Sequence, residues 1–350
     1  MRRLLITGGA GFIGTNFTHY WADKYSEDKI IVLDVLTYAG NRANIAKLEA
    51  DSRIQFVQGN ICEQELVISI LTNNRIDTIV HFAAESHVDR SIIEPNCFIQ
   101  TNIVGTHTLL CAAREAWLGR DNSPSNHLFH HVSTDEVYGT LDLSEPPCSE
   151  HSPYAPNSPY AASKAASDHL IRSYHQTYGL NVTTSTCSNN YGPYQFPEKL
   201  IPLVIANALT GEVLPVYGDG SNRRDWLYVT DHCQGIDLII NKGLAGETYN
   251  IGGNTERANI DVVKQICAEI DNFFDSRSEL KKTFPDAPAA KGNETESLIR
   301  FVKDRPGHDW RYALDITKSM NELTYAPQED LHSGLIRTID WMIDNVSWWK

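Results

Sequence analysis

Residues 130–139, HHVSTDEVYG, set a hydroxyl and two adjacent carboxyls, Thr134, Asp135 and Glu136, directly after a short apolar run. Further on, Tyr160 and Lys164 have Tyr-x-x-x-Lys spacing inside SPYAASKAASDHL, a stretch rich in Ala and Ser. Residues four apart on a helix project from one face. An ammonium beside a phenol stabilises the phenolate and lowers its pKa, so Tyr160 can act as general base on a substrate hydroxyl while hydride leaves the same carbon. Lys164 can also hold a nicotinamide ribose, and Thr134 can supply the partner hydrogen bond. Those three side chains suffice for an oxidation. Asp135 and Glu136 are an acid and a base beyond that need.

An oxidation needs an acceptor, and the N-terminus offers a place for one. The apolar run RLLIT (3–7) leads into GGAGFIG (8–14), in which Gly8, Gly11 and Gly14 have Gly-x-x-Gly-x-x-Gly spacing, and a helical stretch over 15–25 follows. Glycines there permit a tight turn and close approach of backbone to a pyrophosphate, which sits on the helix N-terminus. A second apolar run, IIVLD (30–34), ends in Asp34, twenty residues past Gly14. An acidic side chain at that place takes the adenosine ribose hydroxyls and favours NAD over its 2′-phosphorylated relative.

The elements around these residues alternate. Strands are predicted at 54–58, 78–82, 128–133, 181–187, 213–217 and 247–251, and helices at 63–74, 95–117, 159–178 and 198–210. Strands separated by helices imply right-handed crossovers and a Rossmann-type, doubly wound parallel α/β sheet. Residues 139–158, rich in Pro and Ser, read as a long connection over the active face. From 188 the pattern loosens into loops with clustered polar residues. The expected organisation is a dinucleotide-binding domain over 1–187, with return crossings from later segments, and a smaller C-terminal substrate-binding lobe over 188–350. The polar stretch 275–296, with two prolines, reads as an exposed loop or poorly ordered excursion. There is no internal repeat.

The bulk numbers exclude several classes. At 350 residues a main domain plus a smaller one is natural, and 41% hydrophobic with 21% charged content is that of a soluble globular protein. A formal charge of -14 argues against general nucleic-acid binding. An anionic ligand then needs a local cationic cluster, and Lys199, Arg223, Arg224 and Arg305 are candidates for a diphosphate. Seven scattered cysteines without C-x-x-C read as reduced thiols in a cytoplasmic protein. The chain runs straight into a strand with no signal-peptide h-region, and no apolar run reaches membrane-span length. His130 and His131 lack a third ligand at metal spacing, so a structural role and no metal is expected.

Several segments resemble the extended short-chain dehydrogenase/reductase superfamily, and within it the dTDP-glucose 4,6-dehydratases: TGGAGFIG (7–14), LTYAGN (36–41), FAAESHVDRSI (82–92), STDEVYG (133–139), SPYAASKAASDHL (158–170), CSNNYGPYQFPEKLIP (187–202), YGDGSNRRDWLYVTDH (217–232), YNIGG (249–253) and DRPGHDWRYALD (304–315). They span nearly the whole chain. The resemblance gives the extra carboxyls a purpose. Related epimerases typically carry Ser-Ser/Ala where this chain has Thr134-Asp135-Glu136, and they only oxidise, rotate and reduce at C4. A dehydratase must also expel the C6 hydroxyl. By carry-over, Tyr160 deprotonates the C4 hydroxyl, Glu136 takes the C5 proton that oxidation has acidified, and Asp135 protonates the departing oxygen. NAD ends as it began. Neighbouring carboxyls in opposite protonation states need surroundings that push their pKa values apart.

The same resemblance implies the rest of the site. Phe12 and Ile13 lie under the pyrophosphate, Asp34 and Thr37 at the adenosine ribose, and Asn60 and Ile61 near the adenine. Ala83, Ala84 and Ser86 line the nicotinamide side with Tyr160 and Lys164, and Asn102 and Asn190 are further cofactor candidates. Relatives usually have Asp at position 60, which puts adenine affinity in question, and commonly Lys at 35, where this chain has Val35. Substrate contacts are implied for Thr134, His87, Asn189, Glu198, Lys199 and Leu200, and for Pro215, Tyr217, Arg224, Asn259, Arg305 and His308. The implied ligand is dTDP-glucose, the implied pathway that of a deoxysugar such as rhamnose, and the implied assembly a homodimer formed through the helices at 95–117 and 160–178. Two competing readings are a nucleotide-sugar C4 epimerase and a non-catalytic dinucleotide sensor. Retention of C6 oxygen distinguishes the first, and the Tyr160–Lys164 pair counts against the second.

Overall fold

A computed structural model describes residues 1–119 and 126–350. In chain order its strands are β1 (Arg3–Thr7), β2 (Lys29–Asp34), β3 (Ile54–Gln58), β4 (Thr78–His81), β5 (Leu128–Thr134) and β6 (Val182–Cys187), then β7 (Asn189–Tyr191), β8 (Leu214–Tyr217), β9 (Arg223–Tyr228), β10 (Thr248–Ile251), β11 (Glu256–Ala258) and β12 (Ile299–Val302). Seven form one sheet in the order β10-β6-β5-β4-β1-β2-β3, every pairing parallel. All of β4 and β6 is buried, because helices cover both faces of a parallel sheet, so these strands read as continuous rather than alternating runs.

One face is covered by the helices Phe12–Lys24 and Val229–Lys242, with Phe17, Trp21, Cys233 and Ile236 packed on Leu4, Ile6 and Val32. The other is covered by Gln64–Asn73, Thr106–Leu118 and Pro159–Tyr178, with Leu109, Ala113 and Ile171 against Leu5, Ile79 and Phe129. The chain order reverses between β1 and β4, and ligands of such sheets bind at that crevice, outside the carboxyl ends of the strands.

The helix Pro159–Tyr178 has clear local causes. Ser158 caps it by accepting from the Ala161 amide, Pro159 occupies the first turn, and Gly179 ends it in the left-handed region at φ 70°. Its buried residues Tyr160, Ser163, Lys164, Ser167, Asp168, Ile171 and Tyr174 recur at three- and four-residue steps, which makes one stripe face the sheet. The element predicted as a single helix over 95–117 is instead three segments: Pro95–Phe98, a π-helical Ile99–Gly105, and Thr106–Leu118. Within the π segment, the Asn102 amide bonds both the carbonyl and the amide of Glu85, at 3.0 and 2.9 Å.

Beyond residue 188 the structure departs from the expected loops. Asn259–Ser276 and Leu331–Asp344 are full helices, and the first buries Val262, Val263, Ile266, Cys267, Ile270 and Phe273 at helical spacing. With Leu200–Thr210 and β8 they enclose a third core. The stretch 275–296 is largely exposed, as expected, but is anchored by short helical turns: Leu280, Phe284 and Ala287 are buried in that core, and Thr295 Oγ1 donates to Asp271 at 2.5 Å. Three apolar anchors spaced i, i+4 and i+7 hold the segment, and its polar composition hides them. At the C-terminus, the Trp348 indole donates to Asn44 Oδ1 at 2.6 Å, and the Asn44 amide donates to the carbonyl of Ala10 at 3.0 Å. The last turn of the chain thereby braces the first glycine turn.

Candidate active site

The glycine turn behaves as its spacing requires. Gly8 sits at φ 69° with a would-be Cβ 2.6 Å from the Ala83 amide nitrogen, and a Cβ on Gly14 would come within 2.2 Å of the Gly8 carbonyl oxygen. Asp34, at the end of β2, accepts from the amides of Ala10 and Leu36 at 3.0 and 2.8 Å. That pair of bonds ties the turn to the strand end. A cavity of about 550 Å³ opens here and runs to β5, lined on this side by Gly8, Gly11, Phe12, Ile13, Gly14, Asp34, Thr37, Asn60, Ile61, Ala83, Ala84 and Ser86. The length of this wall, from a ribose-facing acid past a helix N-terminus to Tyr160, suits a dinucleotide. Asn190 lines it too, held by His232 at 2.9 Å. Asn102, in contrast, stands behind the wall: it is buried against Glu85 and Ser163 and does not line the cavity. Its place in the sequence suggested contact, but its amide is consumed in holding the Glu85 backbone.

Tyr160 and Lys164 lie on one face of their helix and both line the cavity, with Thr134 opposite at the end of β5. The Lys164 ammonium donates to the Val132 carbonyl at 2.7 Å. Burial, followed by the Glu136 and Cys187 charges, pushes the Tyr160 phenol well above its ordinary value, so the expected lowering by Lys164 is not present in the protein alone. Burial also lowers Lys164, with Asp168 opposing it. Asp168 accepts from Ser133 Oγ at 2.6 Å and Tyr154 OH at 3.0 Å, and its other oxygen lies 3.1 Å from His131 Nε2. His130 bonds Thr183 and Ser185. Both histidines are thus structural, and no group of three or more His, Cys, Asp or Glu among the described residues could hold a metal. Asp168 was missed from sequence, although its position four residues after Lys164 on the same helix face was a usable signal.

The strand end then makes the turn that matters. Thr134 caps a 3₁₀ turn, Asp135–Tyr138, by accepting from the Glu136 amide at 3.4 Å, and its hydroxyl donates to Asp135 Oδ1 at 3.3 Å. A strand would send consecutive side chains to opposite faces, whereas this tight turn lets both carboxyls line the cavity. Their surroundings differ. Asp135 is buried with Oδ2 unpartnered, and burial together with the Glu136 charge pushes it well above the carboxylate range. Glu136 is also raised by burial, but Lys199, Arg305 and Arg224 all pull it down. Asp135 thus has the stronger cause to hold a proton, while Glu136 has three cations that favour its charged form.

The far wall carries the cations. The Arg224 guanidinium lies over the Tyr312 ring at 4.3 Å and donates to the carbonyls of Arg223, Asp309 and Trp310. Lys199 donates to the Ser86 carbonyl at 2.7 Å, and Arg305 lies 3.7 Å from Asp89. Arg223, expected in the same patch, pairs with Glu256 at 2.7 Å and does not line the cavity, since adjacent β9 residues face opposite ways. His87, Asn189, Glu198, Leu200, Pro215, Tyr217, Asn259 and His308 all line this end. Cys187, Gln195 and Phe196 line the cavity as well; they lie in the segment 187–202 that carries the resemblance, without an individual role implied for them.

A glycine-turn nucleotide cleft that ends on a Tyr-x-x-x-Lys helix, roofed by later chain segments, is the arrangement of the extended short-chain dehydrogenase/reductases. A family profile described as GDP-mannose 4,6 dehydratase matches residues 5–338. The chain is 52% identical over 349 residues to the dTDP-glucose 4,6-dehydratase of Xanthomonas campestris pv. campestris (strain B100), covering 99% of this chain and 95% of that protein. To the Escherichia coli dTDP-glucose 4,6-dehydratase it is 47% identical, covering 99% and 95%. The crystal structure of DesIV (dTDP-glucose 4,6-dehydratase) from Streptomyces venezuelae with NAD and TYD bound superposes with TM-score 0.86 at 47% identity, covering 99% of each chain. A UDP-glucose 4-epimerase from Thermotoga maritima is more distant, at TM-score 0.81 and 26% identity over 98% of this chain and 99% of that one. The chain belongs to the dTDP-glucose 4,6-dehydratase family.

Proposed function

We propose that the protein removes water from dTDP-glucose to give dTDP-4-keto-6-deoxy-glucose, with NAD recycled within one turnover. The observation that carries this reading is the pair Asp135 and Glu136, set side by side in the turn after β5 and lining the same cavity as Thr134, Tyr160 and Lys164. Bound NAD supplies the hydride acceptor for C4, the donor for C6, and a positive ring that offsets the burial of the Tyr160 phenol. The wall from Gly8 to Ser86, with Asp34, Thr37, Asn60 and Ile61, would hold it.

Tyr160 accepts the C4 hydroxyl proton, with Lys164 steadying the phenolate and Thr134 the sugar oxygen. The C4 ketone makes the C5 proton acidic, and Glu136 removes it. Asp135 gives its proton to the C6 oxygen, which leaves as water, and a C5–C6 double bond forms. Hydride then adds to C6, Glu136 returns a solvent-exchangeable proton to C5, and the proton taken by Tyr160 is passed through solvent to restore Asp135, so the net change is loss of one water. Arg224, Lys199 and Arg305 meet the diphosphate in an otherwise acidic protein. Membership of the dehydratase family and the DesIV likeness support the sugar and the thymidine nucleotide over the epimerase reading. The test is incubation with dTDP-, UDP-, GDP- and CDP-glucose, followed by mass spectrometry for loss of water. Turnover of dTDP-glucose is expected, and loss of water from none of the four sinks the reading.

The product class suits deoxysugar pathways such as that of rhamnose, and the absence of any helix long and apolar enough to cross a membrane among the described residues is consistent with a cytoplasmic enzyme. The exposed Ile99, Val104 and Leu118, with Tyr178 on the neighbouring helix, support a homodimer through these two helices, which light scattering of the purified protein would test. A functional division at about residue 187, with nucleotide-sugar binding mainly beyond it, is supported by the third core around Leu200–Thr210 and Asn259–Ser276.

A further inference from the structure

A dehydratase that returns hydride to the sugar it oxidised must hold the reduced cofactor between the two transfers. We propose that Tyr38, closed by Arg90 and Glu198, is a clasp across the cofactor cleft that prevents release of the dinucleotide during that interval. The proposal rests on the dehydratase reading for its purpose, but its contacts stand on their own.

Tyr38 lies in the loop after β2, where its neighbours Thr37, Ala39 and Gly40 line the cavity and its own side chain does not. That side chain instead reaches over to the opposite rim. Its hydroxyl donates to Glu198 Oε1 at 3.1 Å, and the Arg90 guanidinium lies over its ring at 3.9 Å. Phe196 meets the ring edge-on, with centroids 5.9 Å apart and planes at 82°. The three partners come from two segments far from Tyr38 in sequence, the helix Val88–Ile93 and the loop before Leu200–Thr210. Glu198 also lies 3.7 Å from His87 Nε2, and Arg90 3.9 Å from Glu85, so the closure is tied to the wall beside Ala83–Ser86.

The loop is firm at its base and open at its tip. Asp34 holds the Leu36 amide at 2.8 Å, and Leu36 itself sits in the left-handed region at φ 59°. A Cβ on Gly40 would stand 3.0 Å from Asp34 Oδ1, so the return of the loop passes close to the same carboxylate. Tyr38 is 40% exposed. A stacked cation, one hydrogen bond and one aromatic edge are individually weak and jointly able to close and reopen, which is what a clasp that must also admit cofactor needs.

The experiment measures release of NADH from the pre-loaded protein by stopped-flow fluorescence, without sugar, alongside the NAD content of the protein as purified. Tyr38→Ala and Arg90→Ala are expected to release NADH about tenfold faster, and Tyr38→Phe, which keeps ring and stack, about threefold faster. With dTDP-glucose present, Tyr38→Ala should also discharge a 4-keto sugar nucleotide that keeps its C6 oxygen. Thermal melting shows whether Tyr38→Ala is folded; Tyr38→Phe and Arg90→Ala carry the test if it is not. Unchanged release rates overturn the clasp, as does a raised KM for the sugar with unchanged NADH release, which would assign Tyr38 to the substrate. Wild-type protein that binds NADH but dehydrates no sugar would overturn the function and leave the release measurement decisive for the clasp.

Discussion

Asp135 and Glu136 share a peptide bond, a cavity and the pull of Arg224, yet Asp135 Oδ2 is buried without a partner while Glu136 is drawn down by Lys199 and Arg305 as well. That asymmetry supports the proposed roles, acid for Asp135 and base for Glu136. It also separates the effects of replacing each.

Asp135→Asn should leave C4 oxidation close to wild type and slow elimination by roughly 10²–10⁴-fold, the span typical of a lost general acid. Tyr160→Phe should abolish oxidation itself. Single-turnover absorbance of NADH distinguishes them, since the first variant accumulates reduced cofactor and the second never forms it. Equal loss of the NADH signal in both would contradict the assignment.

The pH dependence of kcat should be bell-shaped. The proposed roles require Glu136 ionised and Asp135 protonated. Glu136 is raised above the ordinary carboxylate range, so the acid limb falls as pH drops through that raised value; Asp135 is held well above that range by burial, so the alkaline limb falls as its proton is lost. Glu136→Gln should cut the elimination rate by a similar 10²–10⁴-fold and stop solvent deuterium from entering C5 during turnover. Deuterium incorporation at the wild-type rate would remove Glu136 from the role of base.

Asp168 ties Ser133, Tyr154 and His131 behind Lys164, and its carboxyl is raised from 3.8 to about 6, chiefly by burial. A raised folded pKa means that its stabilising contribution is complete below 3.8 and is lost as pH climbs through about 6. Relative to Asp168→Asn, the wild type should therefore lose up to about 3 kcal/mol of stability across that window, with no further divergence above it. Urea unfolding of both proteins at a series of pH values measures the difference, and parallel curves would mean that Asp168 does not titrate there.

Gly14→Ala should prevent dinucleotide binding, because the new Cβ would lie 2.2 Å from the Gly8 carbonyl with only backbone to yield. Isothermal titration with NAD checks this. Wild-type affinity in the variant would show that the turn relaxes.

Much of the cofactor side was legible because its causes are local. Glycines at 8, 11 and 14 have one economical use between a strand and a helix, and the central strands β1 and β2 show as unbroken apolar runs over 4–6 and 30–33. The helix holding Tyr160 and Lys164 was readable for the same reason: cap, first-turn proline, helical stripe and terminal glycine all lie within it. The C-terminal helices were missed although Asn259–Ser276 has a strong apolar stripe, since polar residues between its anchors resemble a loop when scanned for strands. Asn102 and Arg223 were misplaced because side-chain direction depends on which neighbour claims the hydrogen bonds, Glu85 in one case and Glu256 in the other.

Residue type and spacing were sufficient for the sheet class, the nucleotide turn, and the presence of two carboxyls in excess of what oxidation needs. Their protonation was not available from the chain alone. It depends on burial and on Lys199, Arg224 and Arg305, far apart in sequence, of which all three act on Glu136 and Arg224 also on Asp135, whose Oδ2 stays without a partner. A pKa is set by desolvation and by charges within a few ångströms, and those distances exist only once the chain has folded.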